Sequence, residues 1–208
     1  MPCKAVASSI RVNGNQNSQA FLETDAPNPQ EAYAISKFEA ECGLLELAKK
    51  TDLEVVIIRP PLIYGANAAG NFGRLIAWAS AKNPLPLPLD SVNNQRSLLA
   101  MDNLLDFIIL CTTAKKAANE VFLLADDEDL STTELLQKIA KAFGKKPLLL
   151  PIPAGFMIFI LGLFGKKADA IRLFSSLQID NSKAKNLLGW QPLTAADKQL
   201  AKIVTKIR

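Results

Sequence analysis

Two residues four positions apart, Tyr33 and Lys37 in the run EAYAISKFEAE, could carry out proton transfer together with the upstream serine pair Ser8 and Ser9. The chain has no histidine, so an acid or base active near neutral pH must be of another type. On a helix, residues four apart lie on the same face. An adjacent ammonium favours a phenolate and lowers the pKa of a tyrosine from about 10. Ser9 would hydrogen-bond the same substrate oxygen.

A structural interpretation is open for each of these residues. Tyr33 fits a half-buried aromatic of a helix, Lys37 a solvated charge, and Ser9 a turn residue at the end of a strand. A Tyr-x-x-x-Lys spacing alone is weak, so the decision depends on its context.

That context is a series of motifs in a fixed order along the chain. They are Ser-Ser-Ile-Arg-Val-Asn-Gly at 8–14, Tyr-Ala-Ile-Ser-Lys at 33–37, Ile-Arg-Pro-Pro-Leu-Ile-Tyr-Gly at 58–65, Asn-Gln-Arg-Ser-Leu-Leu-Ala-Met-Asp-Asn at 94–103 and Leu-Leu-Gly-Trp-Gln-Pro at 187–192. In this order they resemble the extended short-chain dehydrogenase/reductase family, the group of NAD-dependent nucleotide-sugar epimerases and dehydratases. The resemblance covers nearly the whole chain.

The resemblance implies an α/β fold: the C-terminal part of a Rossmann-like, doubly wound parallel sheet plus a small α/β substrate-binding lobe. We expect residues 1–65 to belong to the dinucleotide-binding domain and residues 66–208 mainly to the lobe, with a strand and helix near 98–125 returning to the sheet. The printed sequence has no G-x-G-x-x-G run. Because such a run opens members of the family, we expect about the first third of a member to be missing.

The resemblance also implies roles for individual residues. Tyr33 would transfer the proton, Lys37 would bind the nicotinamide ribose, and Ser9 would orient the sugar oxygen. Pro60 and Leu62 would lie beside the nicotinamide. Many relatives have an asparagine where this chain has Leu62, which weakens the case for a galactose-type epimerase.

Two further residues match substrate-binding positions of the family. Asn71 would lie near the substrate diphosphate, or would only cap a helix. Arg96 would bind phosphate oxygens, since a guanidinium presents a planar fork of donors, or would form a surface ion pair.

The implied reaction is hydride exchange at C4 of a UDP-sugar with NAD or NADP. The motifs look most like bacterial enzymes that reduce or epimerise C4 of UDP-N-acetyl-hexosamine derivatives. They leave epimerase, 4-keto reductase and dehydratase open. The alternative is a noncatalytic fragment that keeps only sugar-nucleotide binding, or that needs an N-terminal half in trans. Homo-oligomers could form through an exposed sheet edge or helices.

Composition limits the other classes of function. The net charge is +4, and the lysines are dispersed in pairs rather than gathered in one stripe, so nucleic-acid binding is not indicated. Three cysteines, at 3, 42 and 111, form no C-x-x-C pair, which argues against a disulfide framework and a zinc site and favours a reducing cytoplasm.

The apolar stretch 148–164, LLLPIPAGFMIFILGLF, is shorter than the ~20 residues of a membrane-spanning helix and is interrupted by proline and glycine. We predict a buried strand followed by a core or interface helix here, in preference to a membrane-associated helix.

Hydrophobic periodicity and turn residues predict the remaining elements. The predicted strands are 4–8, 54–59, 98–101 and 121–125. The predicted helices are 30–50, 70–81, 102–115, a helix opened by the capping box at 131–134 and ending at 144, 180–188, and a last helix from 194. The proline-rich stretch 83–89 is predicted to be extended.

Overall fold

The computed structural model describes residues 4–66, 70–82 and 84–207. The strands are β1 Lys4–Ala7, β2 Val55–Arg59, β3 Leu62–Tyr64, β4 Leu98–Ala100 and β5 Val121–Leu123. Three of them form a parallel sheet in the order β1-β2-β5, and β3 and β4 form a second parallel pair. The predicted α/β class with parallel strands is confirmed.

The α-helices are α1 Ala32–Lys50, α2 Gly70–Ser80, α3 Met101–Thr113, α4 Thr132–Ala142, α5 Ala154–Leu163, α6 Lys167–Phe174, α7 Ser182–Leu188 and α8 Ala196–Ile207. Short 3-10 turns cover Ile10–Val12 and Lys115–Ala117. Each strand and helix predicted outside residues 148–164 is found to within about two residues at either end. Strand β3 and helix α6 were not predicted. Strand β3 is only three residues long and directly follows two prolines, which the sequence suggests will end a strand.

Strand β2 is the centre of the main sheet, and all five of its residues are buried. Its run of β-branched residues is typical of a parallel strand that is covered on both faces. Val56 and Ile58 belong to a core with Phe107 of α3 and with Trp190. Because side chains alternate along a strand, Arg59 points to the opposite face, which α1 covers.

A second core lies among α2, α4 and α8. It includes Phe72, Ile139 and Leu200, one from each helix. The predicted capping box starts α4: Ser131 Oγ accepts from the Glu134 backbone N–H at 3.0 Å, and a Glu134 carboxylate oxygen accepts from the Ser131 N–H at 2.8 Å.

The helix predicted within 148–164 is found, but the predicted buried strand is not, and α5 is not a core helix. The interface alternative stays a prediction. Leu149 makes only an isolated bridge to Leu87, and α5 buries only Met157. Hydrophobic periodicity could not show which side of α5 is buried, because the helix is apolar around its whole circumference. Within the residues that the structure describes, no helix is long and apolar enough to cross a bilayer.

Candidate active site

Tyr33 and Lys37 lie on the same side of the first turns of α1. The Lys37 Nζ atom is 5.8 Å from the centroid of the Tyr33 ring. It also donates a hydrogen bond to the Ala7 carbonyl, at 3.4 Å. The ammonium therefore lies between the phenol ring and the carboxyl end of β1. The Tyr33 side chain is 52% exposed, so a ligand can reach it.

Ser8 and Ser9 follow β1 directly, at the edge where ligands bind in open parallel sheets. The Ser8 N–H donates to the Ile58 carbonyl at 2.7 Å, and the Ile10 N–H donates to the Pro60 carbonyl at 3.0 Å. Ser9 caps the 3-10 turn, because its Oγ accepts from the Arg11 N–H at 3.3 Å. Among the described residues, no hydrogen-bond partner reaches the buried Oγ of Ser8.

An ion pair joins the serine turn to the start of α1. Arg11 Nη1 lies 2.5 Å from a carboxylate oxygen of Glu31. Arg11 comes two residues after Ser9, and Glu31 comes two residues before Tyr33. The pair therefore connects the serine and tyrosine segments.

A buried cluster joins the same two segments from behind, and sequence reasoning missed it. Arg59 donates to the Glu41 carboxylate through Nε and Nη2, at 3.0 and 2.6 Å, and through Nη1 to Asn13 Oδ1 at 3.0 Å. All three side chains are buried. Glu41 lies four residues after Lys37, and Arg59 ends a buried apolar strand. A buried charge needs a partner of opposite charge, so the position of Arg59 could have indicated this cluster from the sequence.

Pro60 and Leu62 continue from β2 next to the serine turn. Pro60 is buried, and its carbonyl holds Ile10 as described above. Leu62 begins β3, pairs with Leu98, and is 39% exposed. The structure therefore brings Ser9, Pro60 and the α1 residues to one end of the main sheet.

Arg96 lies in a different part of the molecule. Its backbone pairs with Leu130 and with Leu177, and its Nη1 donates to the Ser175 carbonyl at 3.2 Å. The Ser175 Oγ lies 2.8 Å from Gln16 Oε1, in the loop that follows the serine turn. Arg96 is thus linked to the loop after Ser9 through Ser175. The side chain of Asn71 lies outside the described residues.

The second tyrosine of the chain, Tyr64, has a different environment. It is buried and donates to an Asp126 carboxylate oxygen at 2.7 Å. Asp126 also accepts from Asn103 Nδ2 at 2.7 Å and from the Ala100 N–H at 3.1 Å. Burial, reinforced by this carboxylate, raises the pKa of Tyr64, and burial raises the pKa of Asp126. Of the two tyrosines, only Tyr33 is accessible to a substrate.

Comparison with known proteins gives this geometry a context. The family described as NAD-dependent epimerase/dehydratase matches residues 5–125. A UDP-glucose 4-epimerase from Vibrio cholerae is 42% identical over 188 residues, which cover 89% of this chain and 57% of that protein. The chain thus spans less than three fifths of the length of this relative.

Solved structures show the same fold. UDP-N-acetylglucosamine 4-epimerase from Bacillus cereus matches with a TM-score of 0.79 at 23% identity, over 98% of this chain and 63% of that one. UDP-glucuronic acid 4-epimerase from the same organism, in complex with NAD, matches with a TM-score of 0.76 at 20% identity, over 98% and 61%. Together with the parallel sheets, these matches support the Rossmann-like fold.

Proposed function

Because the chain belongs to the NAD-dependent epimerase/dehydratase family, we propose that it supplies the proton-transfer residues and the sugar-nucleotide side of an enzyme acting at C4 of a UDP-sugar. The observation that carries this proposal is the position of the Lys37 ammonium, between the exposed Tyr33 ring and the end of β1. That arrangement suits a reaction in which a hydroxyl proton leaves while the carbon is oxidised.

Each residue has one step in the proposed reaction. The Tyr33 phenolate takes the proton of the C4 hydroxyl, while the C4–H bond breaks and C4 becomes a ketone. Lys37 stabilises the phenolate by its charge, and Ser9 donates a hydrogen bond to the same sugar oxygen. In the reverse direction Tyr33 returns the proton. An epimerase performs both halves with the ketone turned over, whereas a reductase performs only the second.

A bound nicotinamide cofactor would supply the hydride acceptor for the first half of the reaction and the hydride donor for the second. The residues present fit its ribose, because an ammonium has three N–H donors and Lys37 directs one to the Ala7 carbonyl at the rim of the site. Pro60 and Leu62 would flank the ring.

Arg96 is proposed to bind the diphosphate of the substrate, with Asn71 nearby. The hydrogen bond from Nη1 to the Ser175 carbonyl orients the guanidinium, and a guanidinium can use five donors. Residues 175–178 also contact the loop after Ser9, so substrate binding at Arg96 would be transmitted to the serine turn.

The experiment uses a chimaera in which the part of the Vibrio cholerae relative without a counterpart here precedes Lys4. It is incubated with NAD and UDP-glucose or UDP-N-acetylglucosamine, and separately with NADH or NADPH and a UDP-4-keto sugar. The sugars are separated by chromatography. We expect conversion to the C4 epimers, or consumption of NADPH or NADH with a UDP-4-keto sugar. A folded chimaera that binds both ligands and changes no sugar at C4 would disprove the proposal.

A second candidate function is sugar-nucleotide binding without turnover. It is favoured by the position of β1 at the edge of the three-stranded sheet, where a strand supplied by another polypeptide could pair. Calorimetric titration of the 208-residue chain separates the candidates. Binding of UDP-sugar without binding of NAD supports the second candidate, and binding of both supports a self-sufficient enzyme.

A further inference from the structure

Helix α5 presents a continuous apolar stripe to solvent. The stripe consists of Phe156, Phe159, Ile160 and Leu163, which follow the i, i+3, i+4, i+7 spacing of one helix face. Phe159 is 64% exposed. The opposite side of the helix carries the buried Met157. The helix is therefore attached to the protein by one apolar side and exposes the other.

Two lysines, Lys166 and Lys167, follow this stripe directly in the sequence, and the next acidic residue is Asp169 in α6. Residues 141–167 contain five lysines and no aspartate or glutamate. Phe164 is 75% exposed, and Gly165, with a φ of 72°, turns the chain into the exposed pair Lys166 and Lys167. We call the stripe together with Phe164, Lys166 and Lys167 the lysine-flanked apolar surface.

We propose that the lysine-flanked apolar surface docks the protein on an anionic lipid bilayer. The stripe would enter the boundary between headgroups and acyl chains with the helix parallel to the membrane, while the two lysines contact lipid phosphates. A helix of ten residues is too short to span a bilayer, which fits a helix lying in the interface. This inference is independent of the proposed function.

Charge favours a bilayer over a second copy of this chain. A two-fold dimer through the same stripe would bring Lys166 and Lys167 of both copies to one interface, because such an interface is self-complementary. That interface would hold no carboxylate to neutralise them, because the lysine-flanked apolar surface itself contains none. Anionic headgroups would instead neutralise the lysines, and the apolar side chains would leave water in either case.

The test is co-sedimentation of the 208-residue chain with lipid vesicles. One set contains phosphatidylcholine alone, and the other contains roughly one third phosphatidylglycerol, a composition chosen to give a negative surface potential. The variants are Phe159→Asp with Leu163→Asp, and Lys166→Glu with Lys167→Glu. The matched control is Ile109→Asp, which places a charge on an equally exposed apolar site of α3.

We expect the wild-type chain to bind anionic vesicles in preference to neutral ones. The stripe variant should lose at least about tenfold in partitioning, and the lysine variant several-fold, because both apolar burial and charge contribute. Ile109→Asp should bind like wild type, and circular dichroism should show all variants folded.

Three results would overturn the proposal. One is no binding to anionic vesicles, and another is equal loss in the Ile109→Asp control. The third combines two findings for the wild-type chain: it does not bind vesicles, and it self-associates in analytical ultracentrifugation. The stripe variant would then abolish the self-association. That result would assign the surface to a second copy.

Discussion

Helices α1 and α8 are attached to the protein in opposite ways. Of the 19 residues of α1 only Ala34 and Glu41 are buried, and the latter is held by Arg59. Helix α8 is shorter but buries Leu200, Ile203 and Val204 in a core with α2 and α4. The helix that carries the candidate catalytic residues is thus positioned by polar contacts, whereas the helix of the second core is positioned by apolar packing.

The difference has a consequence for the site. Polar contacts are directional, so the Arg59 and Arg11 pairs fix the orientation of α1 toward the serine turn. Apolar packing fixes volume more than direction. We therefore expect substitutions that break the Arg59 or Arg11 pair to change geometry at Tyr33, and substitutions in the core of α8 to change stability alone.

The largest effect is expected for Glu41→Ala. It leaves the Arg59 guanidinium buried without its carboxylate, and breaking one side of a buried ion pair costs about 3–5 kcal/mol. Urea unfolding measures the loss in the free energy of unfolding. Glu39→Ala, on an exposed position of the same helix, is the control and should change it by less than about 0.5 kcal/mol. Equal stability of the two variants would remove the buried pair as the anchor of α1.

The next largest loss is expected for Leu200→Ala in α8. The free energy of unfolding should fall by about 2–5 kcal/mol, because apolar burial is lost and a cavity is left behind. The same unfolding measurement applies, with the exposed Lys198→Ala as control. UDP-sugar affinity, measured by calorimetry in the folded variant, should stay unchanged. A weakened affinity would show that the two helices are not independent.

Tyr64→Phe should cost about 1–3 kcal/mol, because the buried Asp126 carboxylate loses a donor. Tyr33→Phe should leave stability within about 0.5 kcal/mol, since that side chain is exposed. Comparable destabilisation by the two substitutions would mean that the Tyr33 side chain is packed into the structure and is not accessible to a substrate.

Asp126 should also impose a pH dependence. Burial raises its pKa in the folded state above the ordinary 3.8, so the native protein holds more protons than the unfolded chain between the two values. Its contribution to the free energy of unfolding therefore falls as the pH rises from 3.8 through the raised value. Asp126→Asn should remove this slope, and an unchanged slope would contradict it.

The smallest effect is expected at the surface of α8. Lys202 forms an exposed ion pair with Asp102, and such pairs contribute about 0–1 kcal/mol. The hydrogen bond from Lys202 lowers the pKa of Asp102. The contribution of this pair to the free energy of unfolding is therefore lost as the pH falls through that lowered value. Lys202→Ala at neutral pH should shift unfolding by no more than this amount, in contrast to Glu41→Ala.

The sequence alone predicted the strands of the main sheet and the helices around it. Strand β2 was evident because four consecutive apolar β-branched residues precede two prolines, and α4 because of its capping box. Tyr33 and Lys37 were singled out by their spacing together with the ordered motifs around them, and their catalytic role stays a prediction. The Arg59–Glu41–Asn13 cluster was missed, because its members are distant in sequence and only the fold brings them together. The exposure of α5 was missed because a uniformly apolar helix does not reveal which side is covered.

The central claim is that Tyr33 transfers the sugar hydroxyl proton, and the most direct measurement compares Tyr33→Phe with wild type in the chimaera. The C4 conversion of UDP-sugar is followed together with UDP-sugar affinity, and Ser36→Ala on the same helix turn is the control. We predict that Tyr33→Phe lowers turnover by about 10²–10⁴-fold while affinity stays within a few-fold, and that the control keeps wild-type turnover. Wild-type turnover by Tyr33→Phe would contradict the account.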